Sequence, residues 1–239
     1  MATIEINGTG GILEGNLDDA IINVNTDDAL SFDGVDDKID VGDVTVLDGD
    51  GSITVSAWAN FASDSGDDQR FVWKSDAFGL GYFSGTLRGY IYYSGGDSNA
   101  QVAHTVKGEG WKHIAMTYDG TTVRLYINGA EAATTSISSK TISNTANNLV
   151  LGSDGSNYLK GNLADVRLYS STLTAAEIAN LASRINIANE VVQSTSTLVG
   201  WWKLNNNSIT DSSTNSNNGT ATGTSRDYDA FSVNVQDNT

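Results

Sequence analysis

Two turn dipeptides, Asp119-Gly120 and Asn128-Gly129, constrain this chain more than any other feature in it. Both tolerate positive φ at the two central positions of a tight hairpin turn. They divide Trp111 to Thr135, WKHIAMTYDGTTVRLYINGAEAATT, into three short runs with apolar residues at alternate positions. Three antiparallel strands are predicted. With two-residue loops, Met116 faces Val123, Ile114 faces Leu125, and Leu125 faces Ala132. Apolar residues then stack on one face of all three strands, as a half-buried antiparallel sheet requires.

The same period of two recurs along the chain. Ile53, Val55, Ala57 and Ala59 alternate with Thr54, Ser56, Trp58 and Asn60. Leu30-Phe32 and Ile39-Val41 flank an acidic loop, Asp33 to Asp37, and Phe71-Trp73, Phe78-Phe83, Leu87-Tyr93, Leu149-Leu151 and Leu163-Tyr169 supply further strands. Ser94 to Ala100, SGGDSNA, reads as an exposed polar loop. Thr174-Ala-Ala-Glu177 is a capping box, and Ile178, Leu181 and Ile185 form an apolar stripe. A single helix is therefore predicted over 174–185, lying across one edge of the sheets.

Four of these pieces together resemble a known family. WKHIAMTYDGTTVRLYING, ALSFDGVDDKIDV (29–41), SITVSAWANF (52–61) and GNLADVRLYSSTLTAAEIANL (161–181) resemble the laminin-G-like branch of the concanavalin A-like lectin/glucanase superfamily. The resemblance implies an all-β antiparallel jelly-roll sandwich with one short helix over residues 29–187. Residues 1–28 are then an N-terminal arm and 188–239 a C-terminal segment. Within that segment, Leu198 to Gly219 (LVGWWKLNNNSITDSSTNSNNG) resembles the strand and turn that open the domain in this family, yet here it comes last. Three arrangements account for it: a permuted strand completing its own sandwich, a strand donated to a neighbour, or the start of a truncated second domain. Alternation places Trp201 and Trp202 on opposite faces, with only one entering the core.

Charge and residue types narrow the function. Lys and Arg total 13 against 29 Asp and Glu, a net −16, which repels nucleic acid and anionic membranes. With no cysteine there is no disulfide framework. Asp211, Asn215 and Asn217 gather oxygen ligands of the kind Ca²⁺ selects. The resemblance implies a structural Ca²⁺ beside this turn, with Asp165 as a further ligand. Asp33, Asp36 and Asp37 are a second candidate, and simple turn formation is the alternative for both. Glutamate occurs only at 5, 14, 109, 131, 177 and 190, so the Glu-x-Asp-x-x-Glu strand of the resembling glucanases is missing. His104 and His113 stand alone, and the expectation is that the chain is not an enzyme. Trp73, Tyr90 and Tyr92 are candidate sugar-stacking rings, with core packing as their alternative.

The opening MATIEINGTGGILEGNL resembles that of some tailed-phage structural proteins and shows neither the basic nor the apolar region of a signal peptide. The expected role is a virion structural protein, made in the host cytoplasm and displayed as a surface decoration or fibre component. Its expected partners are a capsid protein or further copies of itself. The alternative is a lectin-like module that binds glycan at cell surfaces.

Overall fold

The computed structural model describes residues 29–102, 106–183, 197–205 and 207–225, with the backbone alone of 4–6, 11–13, 21–23, 226–227 and 234–236. In chain order, β1 (Ile4–Ile6), β2 (Gly11–Leu13) and β3 (Ile21–Asn23) precede β4 (Ala29–Asp33) and β5 (Lys38–Gly42). A single 3₁₀ turn, Thr45–Leu47, leads to β6 (Ile53–Phe61), β7 (Gln69–Lys74), β8 (Phe78–Phe83), β9 (Thr86–Tyr93) and β10 (Gly96–Val102). The meander β11 (Lys112–Tyr118), β12 (Thr122–Ile127) and β13 (Ala130–Ser136) follows, then β14 (Leu149–Leu151) and β15 (Lys160–Tyr169). After α1 (Ala175–Ala182) come β16 (Leu198–Trp202), β17 (Thr220–Thr222), β18 (Ser225–Asp227) and β19 (Asn234–Gln236).

Two antiparallel sheets make a sandwich. One runs β10-β9-β8-β7-β14-β5-β17, the other β13-β12-β11-β6-β15-β4-β18, with β16 also paired to β15. The inward positions of both sheets fill one core, from Phe32, Phe61, Phe71 and Phe78 to Met116, Leu125 and Leu168. Beyond it, β1 pairs with β2 and β3 with β19. The rest of the predicted arm lies outside the described residues, as do Ile185, His104 and residues 188–196.

The meander folds as three strands, with corrected registers. Asn128 and Gly129 both have positive φ (+50° and +80°) and close a two-residue turn, leaving Ile127 opposite Ala130. A bulge between Leu125 and Tyr126 then brings Leu125 opposite Ala133 rather than Ala132. At the first turn Tyr118 faces Val123, Met116 faces Leu125 and Ile114 faces Ile127, two residues away from the expected pairing. The cause is Asp119, which acts through its side chain instead of a left-handed backbone. Its Oδ1 accepts hydrogen bonds from the N–H groups of Thr121 (2.9 Å) and Thr122 (2.8 Å) and shifts the turn forward. A slip of two conserves the face, so the apolar stripe survives.

The expected loop 94–100 is largely strand. Residues Gly96–Val102 pair along the whole of β9 as an edge strand, with only Ser98 and Ala100 buried. Polar side chains disguise it because one of its faces meets solvent. The helix begins as predicted, with Thr174 and Glu177 capping each other. It covers the outer face of the second sheet rather than an edge. Ile178 and Leu181 pack there with Ala115, Tyr126, Tyr169, Leu173, Leu198 and Trp201. A Cβ on Gly129 would stand 2.9 Å from Ala179 Cα, so the turn and the helix fit only because that residue is glycine.

The displaced strand inserts into its own sandwich. One side of β15 pairs with β6 along its length, while the other is shared: residues 160–163 pair with β4 and 166–169 with β16. The change of partner falls at Asp165, whose φ is +48° and whose N–H donates to Lys203 O (3.0 Å). Trp202 and Trp201 point to opposite faces, as expected, but both are buried. Trp202 alone joins the core between the sheets, as expected of one of the pair, and Trp201 enters a separate cluster beneath α1. The second face is covered because the helix lies on it.

Two outcomes follow. Trp202→Ala should destabilise the fold by about 3–5 kcal/mol in urea titration, the range for buried Trp truncation. Burial opposes the ionisation of Asp119, but hydrogen bonds from Arg124, Thr121 and Thr122 outweigh it and lower the pKa to about 2. A depressed carboxylate stabilises fully above its ordinary value and loses that contribution as pH falls through the folded one. Between pH 4 and 2 the native protein should lose about 1–2 kcal/mol that Asp119→Asn does not lose.

Candidate functional site

Among the described residues no helix covers the outer face of the seven-stranded sheet, and its registers assemble two rows there. Trp73 on β7 lies opposite Gly79 on β8, which lies opposite Tyr90 on β9. In the neighbouring row, Arg70, Gly81 and Arg88 stand side by side. The two glycines leave a floor without side chains, and the longer neighbours lean over it. A Cβ on Gly79 would sit 2.0 Å from the Trp73 ring.

Four rings meet on this floor. Trp73 lies 5.5 Å from Phe83, 6.3 Å from Tyr90 and 5.9 Å from Tyr92, each contact tilted or edge-on. Phe83 and Tyr90 are 4.4 Å apart, and Tyr90 and Tyr92 stand parallel at 5.9 Å. Trp73 and Tyr90 are only 7% and 8% exposed, so the accessible surface belongs to the half-buried Tyr92 and Phe83. Burial, with Asp97 and Tyr90 adding to it, pushes the Tyr92 phenol up to about 12. It therefore stays a neutral hydrogen-bond donor throughout the physiological range.

Two arginines frame the rings. The Arg70 guanidinium stacks 3.6 Å from the Phe83 centroid and pairs with Asp154 (3.0 Å). Arg88 lies 5.8 Å from Phe83 and donates from Nη1 to the Tyr90 hydroxyl at 2.7 Å. The structure thus brings Trp73, Tyr90 and Tyr92 together, and adds Phe83, Arg70 and Arg88. The sequence carried a signal for Arg88, since alternation in TLRGYIYY puts it on the face of Tyr90 and Tyr92. Tyr82 and Tyr93 turn inward against the core.

The expected calcium residues behave differently. Asp211 Oδ1 accepts from the N–H groups of Trp201 (2.9 Å) and Ser213 (2.8 Å), and Oδ2 from Asn217 N–H and Ser213 Oγ (both 2.8 Å). The Asn215 and Asn217 amides donate to the backbone carbonyl of Val199 at 3.0 Å and 2.8 Å. Asp165 does not join them; its Oδ1 accepts from Arg167 Nε (2.7 Å) and Trp201 Nε1 (2.6 Å). These groups fasten the loop to β16 and do not fit a calcium shell. Asp33, Asp36 and Asp37 do converge, with one carboxylate oxygen from each within 4.8 Å of the others. Burial chiefly raises the pKa of Asp37, helped by the charges of Asp33 and Asp36 and opposed by a backbone hydrogen bond from Asp33. His113 is buried edge-on against Trp58, a structural position.

Asp211→Ala should therefore cost about 1–3 kcal/mol of stability, measured equally in EDTA and in Ca²⁺. A rise in melting temperature with Ca²⁺ should disappear in Asp36→Asn and persist in Asp211→Ala. The reverse pattern would restore the 211–217 loop as the ion site.

Residues 33–179 match a family model, Laminin_G_3, described as the concanavalin A-like lectin/glucanases superfamily. Among solved structures, a candidate carbohydrate-binding protein from Bacteroides ovatus superposes with a TM-score of 0.64 at 16% identity, over 85% of this chain and 60% of that one. The chain thus spans about three fifths of that protein's length. The heptameric SAP-like pentraxin of Limulus polyphemus gives a TM-score of 0.57 at 17% identity, over 84% of this chain and 94% of its own. No curated protein matches by sequence. Both structural likenesses are likenesses of fold.

Proposed function

This chain belongs to the concanavalin A-like lectin/glucanase superfamily, and from that premise we propose that it is a non-catalytic carbohydrate-binding domain. One observation carries the reading: four aromatic rings, Trp73, Phe83, Tyr90 and Tyr92, gathered on a sheet face that no helix among the described residues covers. Aromatic and apolar side chains with a few placed polar groups are what line binding sites for small molecules. The buried pair, Trp73 and Tyr90, holds Phe83 and Tyr92 in place, so little side-chain freedom is lost on binding. The Bacteroides ovatus neighbour adds support at the level of fold.

The virion reading concerns where such a domain is displayed. It rests on the wording of residues 1–17, whose side chains lie outside the described structure. A phage preparation from which the chain is absent after purification would remove it.

A glycan array followed by calorimetry tests the main proposal. Tyr92→Ala should weaken the best ligand at least tenfold, about 1.4 kcal/mol, while melting stays cooperative. An array with no binder sinks the carbohydrate reading, and a Tyr92→Ala variant with unchanged affinity removes this face as the site.

A further inference from the structure

Arg88 bears on which class of glycan this face accepts, an inference that rests on the carbohydrate reading above. The chain carries 29 acidic residues against 13 basic ones, so cations near its surface readily find carboxylates. Arg70 has found two, Asp154 at 3.0 Å and Asp68 at 3.9 Å. Arg88, next to it in register across Gly81, has none among the described residues. Its Nη1 donates to the hydroxyl of Tyr90. Its Nε is buried without an acceptor. Across the strand it faces Gln101, an amide with no charge to offer.

A guanidinium partly withdrawn from water, resting against two rings and left without an anion, has interactions still to make. The rings beside it are the half-buried Phe83 and the buried Tyr90, whose centroids lie 5.8 Å and 5.9 Å from its Cζ. We propose that the face takes an acidic glycan, bearing a carboxylate or a sulfate ester, and that Arg88 recognises the anionic group while the rings stack on the sugar. The net charge of −16 opposes a polyanion at long range. That repulsion is screened beyond about 8 Å at physiological salt, whereas a direct contact with Arg88 is not.

Calorimetry separates the possibilities with three probes: an oligouronate, its carboxyl-reduced neutral counterpart, and a sulfated neutral oligosaccharide. The native protein should prefer an acidic probe over the neutral one by about ten- to a hundredfold, the worth of one charge-assisted hydrogen bond. Which acidic probe binds identifies the anionic group. In Arg88→Gln that preference should vanish, and Arg88→Lys should retain part of it. Equal affinity for acidic and neutral probes overturns this inference and leaves the carbohydrate reading standing. Binding of none of them, nor of any glycan on the array, overturns both. A preference that survives Arg88→Gln removes Arg88 from the role.

Discussion

Everything in this sandwich depends on how the second side of β15 is covered. Two strands from opposite ends of the domain share it, β4 for its first half and β16 for its second. A gap in that row would leave backbone donors and acceptors unpaired in the middle of a sheet, at the high cost of unmet hydrogen bonds in an apolar layer. The junction is held by charge. Asp165, 3% exposed, accepts from both Arg167 Nε and the Trp201 indole, and the Arg167 guanidinium stacks 4.1 Å from that indole ring. Lys203 approaches the same ring at 4.5 Å. Asp211 then pins the following loop to the backbone of Trp201. A segment that resembles the family's first strand thus pairs here with the second half of β15.

Much of this was legible in the sequence, for a physical reason. Alternation is a strong signal where one face is buried, and β6, β9 and β12 show it plainly. The Asn128-Gly129 turn was readable because asparagine and glycine both accept the positive φ that its two positions need. Asp119-Gly120 misled, since an aspartate has two ways to make a turn and the pattern alone does not choose between its backbone and its carboxylate. β10 was unreadable because an edge strand needs few apolar residues. The Asp211 loop was read as ligands because a carboxylate that binds N–H groups and one that binds an ion have the same letter. The burial of Trp201 was not foreseen because alternation shows that one of Trp201 and Trp202 leaves the core, not that a helix waits on the other side.

The two outer faces of the sandwich have taken opposite courses. One is sealed by α1 over Tyr126, Tyr169 and Trp201, and so behaves as a second core. On the other, no helix among the described residues covers the rings, and the arginines frame them. Glycines at 79 and 81 make the difference locally. A side chain at either would lift Trp73 or Arg70 away from the sheet and break up the surface. Aromatic residues on that face are thus arranged as a surface, although two of them are nearly as buried as core residues.

The position of β16 near the end of the sequence also shapes how the protein is made. During synthesis, β4, β6 and β15 emerge well before Leu198 to Trp202, so β15 waits with half of one edge open. At a ribosome rate of about 5–20 residues per second, the wait lasts roughly a few seconds. For that interval the nascent chain presents an unpaired strand beside an apolar layer, the kind of edge that invites association with another chain. The abundance of acid over the whole chain, 29 Asp and Glu against 13 Lys and Arg, keeps neighbouring nascent chains apart through that interval.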